Sequence, residues 1–260
     1  MRIAHLSDIH FGGENAPAVE GASAWLRSTA PDLTILTGDV TAFGAQAEFA
    51  KAKAWAQTLE GPLVALPGNH DTPYLGLAER LVAPFARFER SFGAADGVRW
   101  ASEAAIVATV NTARGVQLRL NWSKGAVARA QTDAALAALR GGARGAVGIV
   151  ACHHPLEEMV GGPMTGRVRG GRSAARRFCE AGVDLVLSGH IHAPFAWPFA
   201  YGDGRTYAVG AGTLSLRERG APPSFSLIAV SAAKIEVTAL AWTGTRFEAW
   251  RNWSLARRDR

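Results

Sequence analysis

Apolar residues fall in short blocks along the chain, and the spacing of apolar and polar positions switches repeatedly between two periods. In "RIAHLS" (2–7), "DLTILTGD" (32–39) and "PLVALPGNHD" (62–71) the blocks are short and bounded by turn residues, as in buried strands. Between them, "APAVEGASAWLRSTA" (16–30) and "AQAEFAKAKAWAQTLE" (45–60) repeat their apolar residues at helical spacing. Strands alternating with helices of this length predict parallel βαβ units.

The second half repeats the pattern more loosely. Strands are predicted at 104–111, 147–154 and 183–192, and helices at 128–140 and 174–181. From residue 205 the pattern becomes hairpin-like, with strand candidates at 205–213, 224–231, 234–242 and 246–253 and no helix between them. The expectation is an α/β fold in one domain over residues 1–260. It would be a four-layer α/β/β/α sandwich, two mixed sheets face to face with helices outside. The Gly- and Arg-rich stretch 161–172 reads as a flexible loop.

Composition narrows the class without naming a function. A chain of 260 residues can bury a substantial core. Its 48% apolar and 19% charged content is that of a soluble globular protein. The net charge of +6 favours anionic partners such as phosphates, nucleotides or nucleic acid, although part of the surplus lies in the tail "RNWSLARRDR". Two cysteines, Cys152 and Cys179, are too few for a disulfide framework. Asp8 interrupts the first apolar segment too early for a secretory signal, and no apolar run approaches the roughly 20 residues that span a bilayer. These features predict a soluble, cytoplasmic protein.

Polar residues change the picture where the strands end. Asp8 and His10 close the first strand, one residue apart, and a strand's period of two points both the same way. By itself that pair is a pair of ligands, an acid/base pair, or an N-capping Asp beside a surface histidine. Four further strands end alike: "LTGDV" in Asp39, "LPGNHD" in Asn69, His70 and Asp71, "ACHHP" in His153 and His154, and "LSGHIH" in His190 and His192. Ligands of open α/β sheets bind beyond the carboxyl ends of strands. Six of the seven histidines lie in these motifs, and only His5 stands outside, as a packed strand residue. Asp, Asn and His without Cys suit Mn, Fe, Zn, Co or Ni. Seven candidate ligands exceed one ion's needs, whereas two ions sharing a bridging carboxylate use them all. Such a centre keeps a net positive charge, attracts phosphate and acidifies water.

The motifs "SDIH", "TGDV", "PGNHD", "CHHP" and "SGHIH", complete and in order over residues 8 to 192, resemble the calcineurin-like metallophosphoesterase superfamily. The resemblance implies a β-sandwich flanked by helices and two divalent or trivalent metal ions, Mn or Fe first, with Zn, Co or Ni as alternatives. It implies that Asp8, His10, Asp39 and His192 hold one ion, and that Asp39 as bridge, Asn69, His153 and His190 hold the other. His70 would protonate or stabilise the leaving oxygen while a hydroxide between the metals attacks phosphorus in line. The tyrosine of purple acid phosphatases is Ala42 here, and Val40 stands where Ser/Thr phosphatases carry an arginine. The motif forms are similar to those of small bacterial phosphodiesterases of the cyclic-nucleotide and glycerophosphodiester type.

Other residues carry weaker expectations. Asp71 and His154 are expected to support the site from behind the ligands, and Cys152 to pack on the opposite face of its strand. Arg114 is a candidate phosphate contact and equally a solvated loop residue. Arg167, Arg169 and Arg172 sit on the Gly-rich loop, where a specificity lid is one reading and a solvated basic loop the other. The favoured function is hydrolysis of small phosphodiesters, cyclic nucleotides among them. A phosphomonoesterase, a DNA-processing nuclease and a metal-free protein-binding scaffold are the alternatives, and nucleic acid is not favoured as partner. Loops 72–100, 112–125 and 161–173 would set the substrate. Trp242, Trp250 and Trp253 fit a core or an interface between copies.

Overall fold

A computed structural model of the chain describes residues 1–118, 121–158 and 167–258. Its order is β1 (Arg2–Leu6), α1 (Ala16–Thr29), β2 (Leu33–Thr37), α2 (Gln46–Ala56), β3 (Leu63–Leu66), α3 (Leu77–Val82) and α4 (Ala86–Phe92). There follow β4 (Gly97–Ala101), β5 (Ala105–Val110), α5 (Arg129–Leu139), β6 (Val147–Cys152), α6 (Gly171–Glu180) and β7 (Leu185–Ser188). The chain ends in β8 (Phe195–Pro198), β9 (Tyr207–Gly210), β10 (Ser224–Val230), β11 (Lys234–Trp242) and β12 (Phe247–Ala256).

These strands form two six-stranded sheets, β12-β11-β10-β1-β2-β3 and β4-β5-β6-β7-β9-β8. Pairing is parallel within β1-β2-β3 and within β5-β6-β7-β9, and antiparallel elsewhere, so both sheets are mixed. The alternation of side chains explains the layering. Ile3, Ile35, Leu66, Val107, Ile149 and Leu187 face the interior between the sheets. Their neighbours Leu6 and Leu36 pack outward with Val19 and Leu26 of α1 and Phe49 of α2. Val110, Val150 and Val186 pack outward with Ala135 of α5 and Phe178 of α6. Each fully buried side chain of this size contributes about 1.5–3 kcal/mol. The four-layer α/β/β/α order follows.

Local chemistry fixes the helix starts. Asn15 Oδ1 accepts from the Ala18 amide at 3.2 Å and caps α1. At α2 the cap position is Ala45, and the Glu48 carboxylate instead reaches back to the amides of Ala45 and Phe43, at 3.0 and 2.9 Å.

The structure corrects the sequence reading in three places. The segments 205–213 and 224–231 do not pair as a hairpin. β9 enters the second sheet parallel to β7, and β10 enters the first sheet against β1, because each covers an open strand flank of a different sheet. The stretch 72–100, read as loop, contains α3, α4 and the edge strand β4. Of the presumed flexible stretch, 161–166 lie outside the described residues, while Arg169 pairs by backbone with Gly125 and Val127 and residues 171–172 begin α6. Trp242 and Trp253 pack against the core clusters, and Trp250 is exposed under the Arg251 guanidinium.

Candidate metal centre

The carboxyl ends of β1, β2, β3, β6 and β7 meet at one end of the sandwich, and the predicted residues lie just beyond them. They converge, but not by strand alternation. β1 ends at Leu6 and β7 at Ser188, so the period-two argument for Asp8 and His10, and for His190 and His192, does not apply. Instead Asp8, His10, Asp39, His190 and His192 adopt left-handed backbone, at φ 53, 53, 48, 68 and 60°. Among the described residues they are five of the six non-glycine positions with positive φ, the other being Ala30. Each such conformation costs about 1–3 kcal/mol, a concentration of strain that marks functional sites.

Glycines before the ligands make the close approach possible. A Cβ on Gly38, itself at φ +89°, would lie 2.7 Å from His153 Nδ1. One on Gly189 would lie 1.8 Å from Ser7 Oγ and 2.5 Å from Asp8 Oδ2.

Each carboxylate uses one oxygen to fix itself and leaves the other facing the centre. Asp8 Oδ2 accepts from the His190 amide at 2.9 Å, and Asp39 Oδ1 from the His70 amide at 2.8 Å. The other oxygens meet imidazoles. Asp8 Oδ1 is 3.1 Å from His192 Nε2, and Asp39 Oδ2 is 3.3 Å from His153 Nε2 and 3.8 Å from His10 Nε2. His10 Nε2 and His192 Nε2 are 3.4 Å apart.

Backbone carbonyls set the tautomers. A carbonyl can only accept, so His192 Nδ1 donates to Arg217 O at 2.6 Å and His153 Nδ1 to Thr37 O at 2.8 Å. In the neutral rings Nε2 then carries a lone pair, aimed at a carboxylate oxygen that is also an acceptor. Asp8 Oδ1, Asn69 Oδ1 and His153 Nε2 are all buried without a hydrogen-bond partner. Acceptors facing acceptors at this distance repel unless a cation or a proton lies between them. The donor set therefore fits divalent cations. Asp8, His10 and His192 form one cluster of ligand atoms within 4.8 Å of one another, and Asp8, Asp39 and His153 another.

Electrostatics show the same demand for positive charge. Burial works to raise Asp8 and Asp39, yet the surrounding histidines hold both below the ordinary carboxylate range. Burial pulls His10 down to about 4 and His190 to about 3. His153 resists burial because of Asp39 and Asp8, which push it up to about 9.

The remaining candidates separate clearly. His70 directs Nδ1 to Ala42 O at 2.7 Å, and its edge meets the His10 ring at a centroid distance of 4.8 Å. Asp71 is fully buried and accepts from the amides of Val40, Thr41 and Gly68 and from Thr41 Oγ1, at 2.8–3.1 Å. It clips the Asp39 and Asn69 loops together, and burial with Asp39 nearby pushes it up to about 6. His154 lies close to His153 and His190, but both its ring nitrogens are occupied, Nδ1 by Thr112 Oγ1 at 2.8 Å and Nε2 by Ser123 O at 2.7 Å. It ties Thr112 to Ser123. Cys152 is buried in the outer cluster, where burial pushes its thiol up to about 12.

Arg114, the candidate phosphate contact, is engaged within its own loop. Its guanidinium donates to the carbonyls of Asn111 and Ala113 and to Gln131 Oε1, each at 2.7 Å, and braces its own loop. Arg167, Arg169 and Arg172 are exposed. The arginines that reach the centre are Arg217 and Arg219, on the segment after β9, which sequence reading passed over. The sequence carried no signal for them: only the parallel pairing of β9 with β7 brings their segment to the same edge.

Beside His70 opens a cavity of 490 Å³ lined by Asn69, His70, Tyr74, Arg80, Trp122 and Ser123 among others. Arg80 donates to Gly115 O at 2.7 Å and lies 5.4 Å over the Trp122 ring. Tyr74 and Arg80 thus form one wall of the cavity, and Trp122 and Ser123 another.

A sequence model of a family described as calcineurin-like phosphoesterase matches residues 1–194. Over 82 residues the chain is 29% identical to a Synechococcus sp. protein named "Probable cyclic nucleotide phosphodiesterase", a match covering 28% of this chain and 32% of that protein. Among solved structures, a purple acid phosphatase from yellow lupin seeds aligns with 99% of the chain at TM-score 0.73 and 11% identity. The chain spans 54% of that phosphatase. GAP50, titled the anchor in the inner membrane complex of Plasmodium, aligns with all of the chain and 89% of itself, at TM-score 0.66 and 11% identity. At this identity the likenesses show the fold alone, and they include a protein titled an anchor.

Proposed function

Because the chain belongs to the calcineurin-like phosphoesterase family, its match running over residues 1–194, we propose that it is a metal-dependent phosphodiesterase with a two-metal centre. The observation that carries this reading is the set of facing acceptors, Asp8 Oδ1 against His192 Nε2 and Asp39 Oδ2 against His153 Nε2. Asp8, His10, Asp39 and His192 would hold one ion, and Asp39, Asn69, His153 and His190 the other. When bound, the ions supply Lewis acidity, an acidified water and neutralisation of phosphoryl charge.

The chain's own residues do the rest. The carbonyls of Thr37 and Arg217 hold His153 and His192 with Nε2 inward, which orients ligands and raises their basicity. Asp71 keeps the Asp39 and Asn69 loops in register. His70 stands between the centre and the cavity, its ring fixed by Nδ1–H on Ala42 O, so that Nε2, once it has taken a proton from water, can hand that proton to a leaving oxygen.

A small diester with an aromatic ester group suits the cavity, where Tyr74, Trp122 and Arg80 provide ring faces and a guanidinium. The name of the Synechococcus relative supports the same choice, and cyclic nucleotides are the substrates proposed. The test is the rate on a 3′,5′-cyclic nucleotide against a glycerophosphodiester and p-nitrophenyl phosphate, with Mn- or Fe-loaded protein. Faster cyclic-nucleotide turnover is expected. Faster monoester turnover would make the protein a phosphatase instead.

A further inference from the structure

The family match ends at residue 194, yet the segment after β9 is built onto the centre. Thr213 Oγ1 donates to Asp8 O at 2.7 Å, the Leu216 amide to Gly13 O at 3.0 Å, and Arg217 O receives His192 Nδ1. Two guanidiniums leave this anchored segment two residues apart.

Arg217 is exposed, and its Nη1 is 3.1 Å from His70 Nε2. An arginine cannot accept, and His70 Nδ1 already faces Ala42 O, so Nε2 is the acceptor and Arg217 the donor. While that bond stands, Nε2 cannot face a leaving oxygen. Arg219 is half-buried within Coulombic reach of Asp8, Asp39 and His190. Among the described residues it has no hydrogen bond or ion pair. A half-buried guanidinium without an acceptor, beside one whose acceptor is a neutral ring, makes a pair with donors to spare. Guanidinium forks match phosphoryl oxygens in shape and charge, and such charge-assisted bonds are about twice as strong as neutral ones.

We propose that Arg217 and Arg219 form a clamp for the non-bridging oxygens of a phosphoester anion, Arg217 exchanging His70 Nε2 for the phosphoryl group as substrate arrives. Binding and the uncovering of His70 are then one event. The clamp rests on the phosphoesterase reading for its substrate, but not for its anion.

The test compares wild-type protein with Arg217→Gln, Arg219→Gln, the double variant and Arg217→Lys, all loaded with Mn. Inorganic phosphate binding is measured by calorimetry, and KM and kcat on bis(p-nitrophenyl) phosphate separately, with metal content checked. Each Gln variant should weaken phosphate binding and raise KM by about tenfold or more, with a smaller fall in kcat. Lys should restore part of the loss. Phosphate affinity and KM within about twofold of wild type in the double variant would overturn the clamp, since each lost bond is worth about tenfold, while leaving the phosphodiesterase reading intact. If wild type turns over no ester, that reading fails, and the phosphate titration alone decides the clamp.

Discussion

Asp39 Oδ2 lies 3.3 Å from His153 Nε2, across the seam between the two sheets. Asp39 follows β2 of one sheet and His153 follows β6 of the other, so this contact exists only when the sandwich is assembled. With the His153 ring neutral it sets two acceptors against each other, so the pair calls for a proton or a metal cation between them. Asp39→Ala removes the carboxylate proposed to serve both ligand sets. The expected result is turnover at the level of the buffer blank and a loss of bound metal, measured by elemental analysis of the purified variant. Full metal content in Asp39→Ala would remove its bridging role.

His70 offers a different separation. Its ring is held by Ala42 O and lines the cavity, and neither proposed ligand set includes it. His70→Ala should keep its metal and lose about 10²–10⁴-fold in kcat on esters with poor leaving groups. The loss should shrink for p-nitrophenolate, which leaves without a proton. Equal losses on both kinds of ester would argue against proton donation.

The gathering of these residues was legible in the sequence because they are polar side chains stranded at the ends of apolar strands. The reason given for their convergence was nevertheless wrong. Asp8 and His10 lie beyond β1 in left-handed turns, and no periodicity describes a turn. The surroundings of Arg114 were not legible, because a basic residue after a strand carries no sign of its partners, here carbonyls of its own loop and Gln131. Arg217 and Arg219 were missed because the strand before them was taken for half of a hairpin. Only the pairing of β9 with β7 shows that their segment opens on the centre.

Asp71 is a structural clip, and its loss should be read as stability. Four donors converge on its buried carboxylate. Asp71→Ala would leave three backbone amides and a hydroxyl without a partner, at about 1–3 kcal/mol for each group that water cannot reach. We expect a loss of about 3 kcal/mol or more by urea denaturation of the metal-free protein, larger than for Asp71→Asn. A loss below about 1 kcal/mol would mean that the loops hold without it.

Gly189→Ala tests the packing behind the ligands. The added Cβ would press on Ser7 Oγ and Asp8 Oδ2, displacing a ligand without deleting one. Metal affinity should fall by about 10–100-fold, the scale set by changes just behind a metal site. Titration of Mn into stripped protein measures it, and unchanged affinity would show that the β7 turn yields freely.

His5 predicts a pH dependence. It is fully buried with Nε2 3.0 Å from Thr37 Oγ1, and burial pulls it down to about 3 from an ordinary value of 6.5. Between those values the unfolded chain binds a proton that the folded protein refuses. Its contribution is thus complete above about pH 6.5 and is lost as pH falls toward 3, at about 1.4 kcal/mol per unit at most. The stability advantage of wild type over His5→Gln, followed by urea denaturation in chelator, should shrink across that window. An advantage constant from pH 7 to 4 would contradict the assignment.

The most direct test of the account is the metal dependence of diester hydrolysis. Protein stripped with chelator and reloaded separately with Mn and Fe would be assayed by initial rates on bis(p-nitrophenyl) phosphate and p-nitrophenyl phosphate. The facing acceptors of Asp8, Asp39, His153 and His192 predict no turnover when stripped, restoration by metal, and faster cleavage of the diester. Turnover that survives stripping, or none on either ester with any metal, would contradict it.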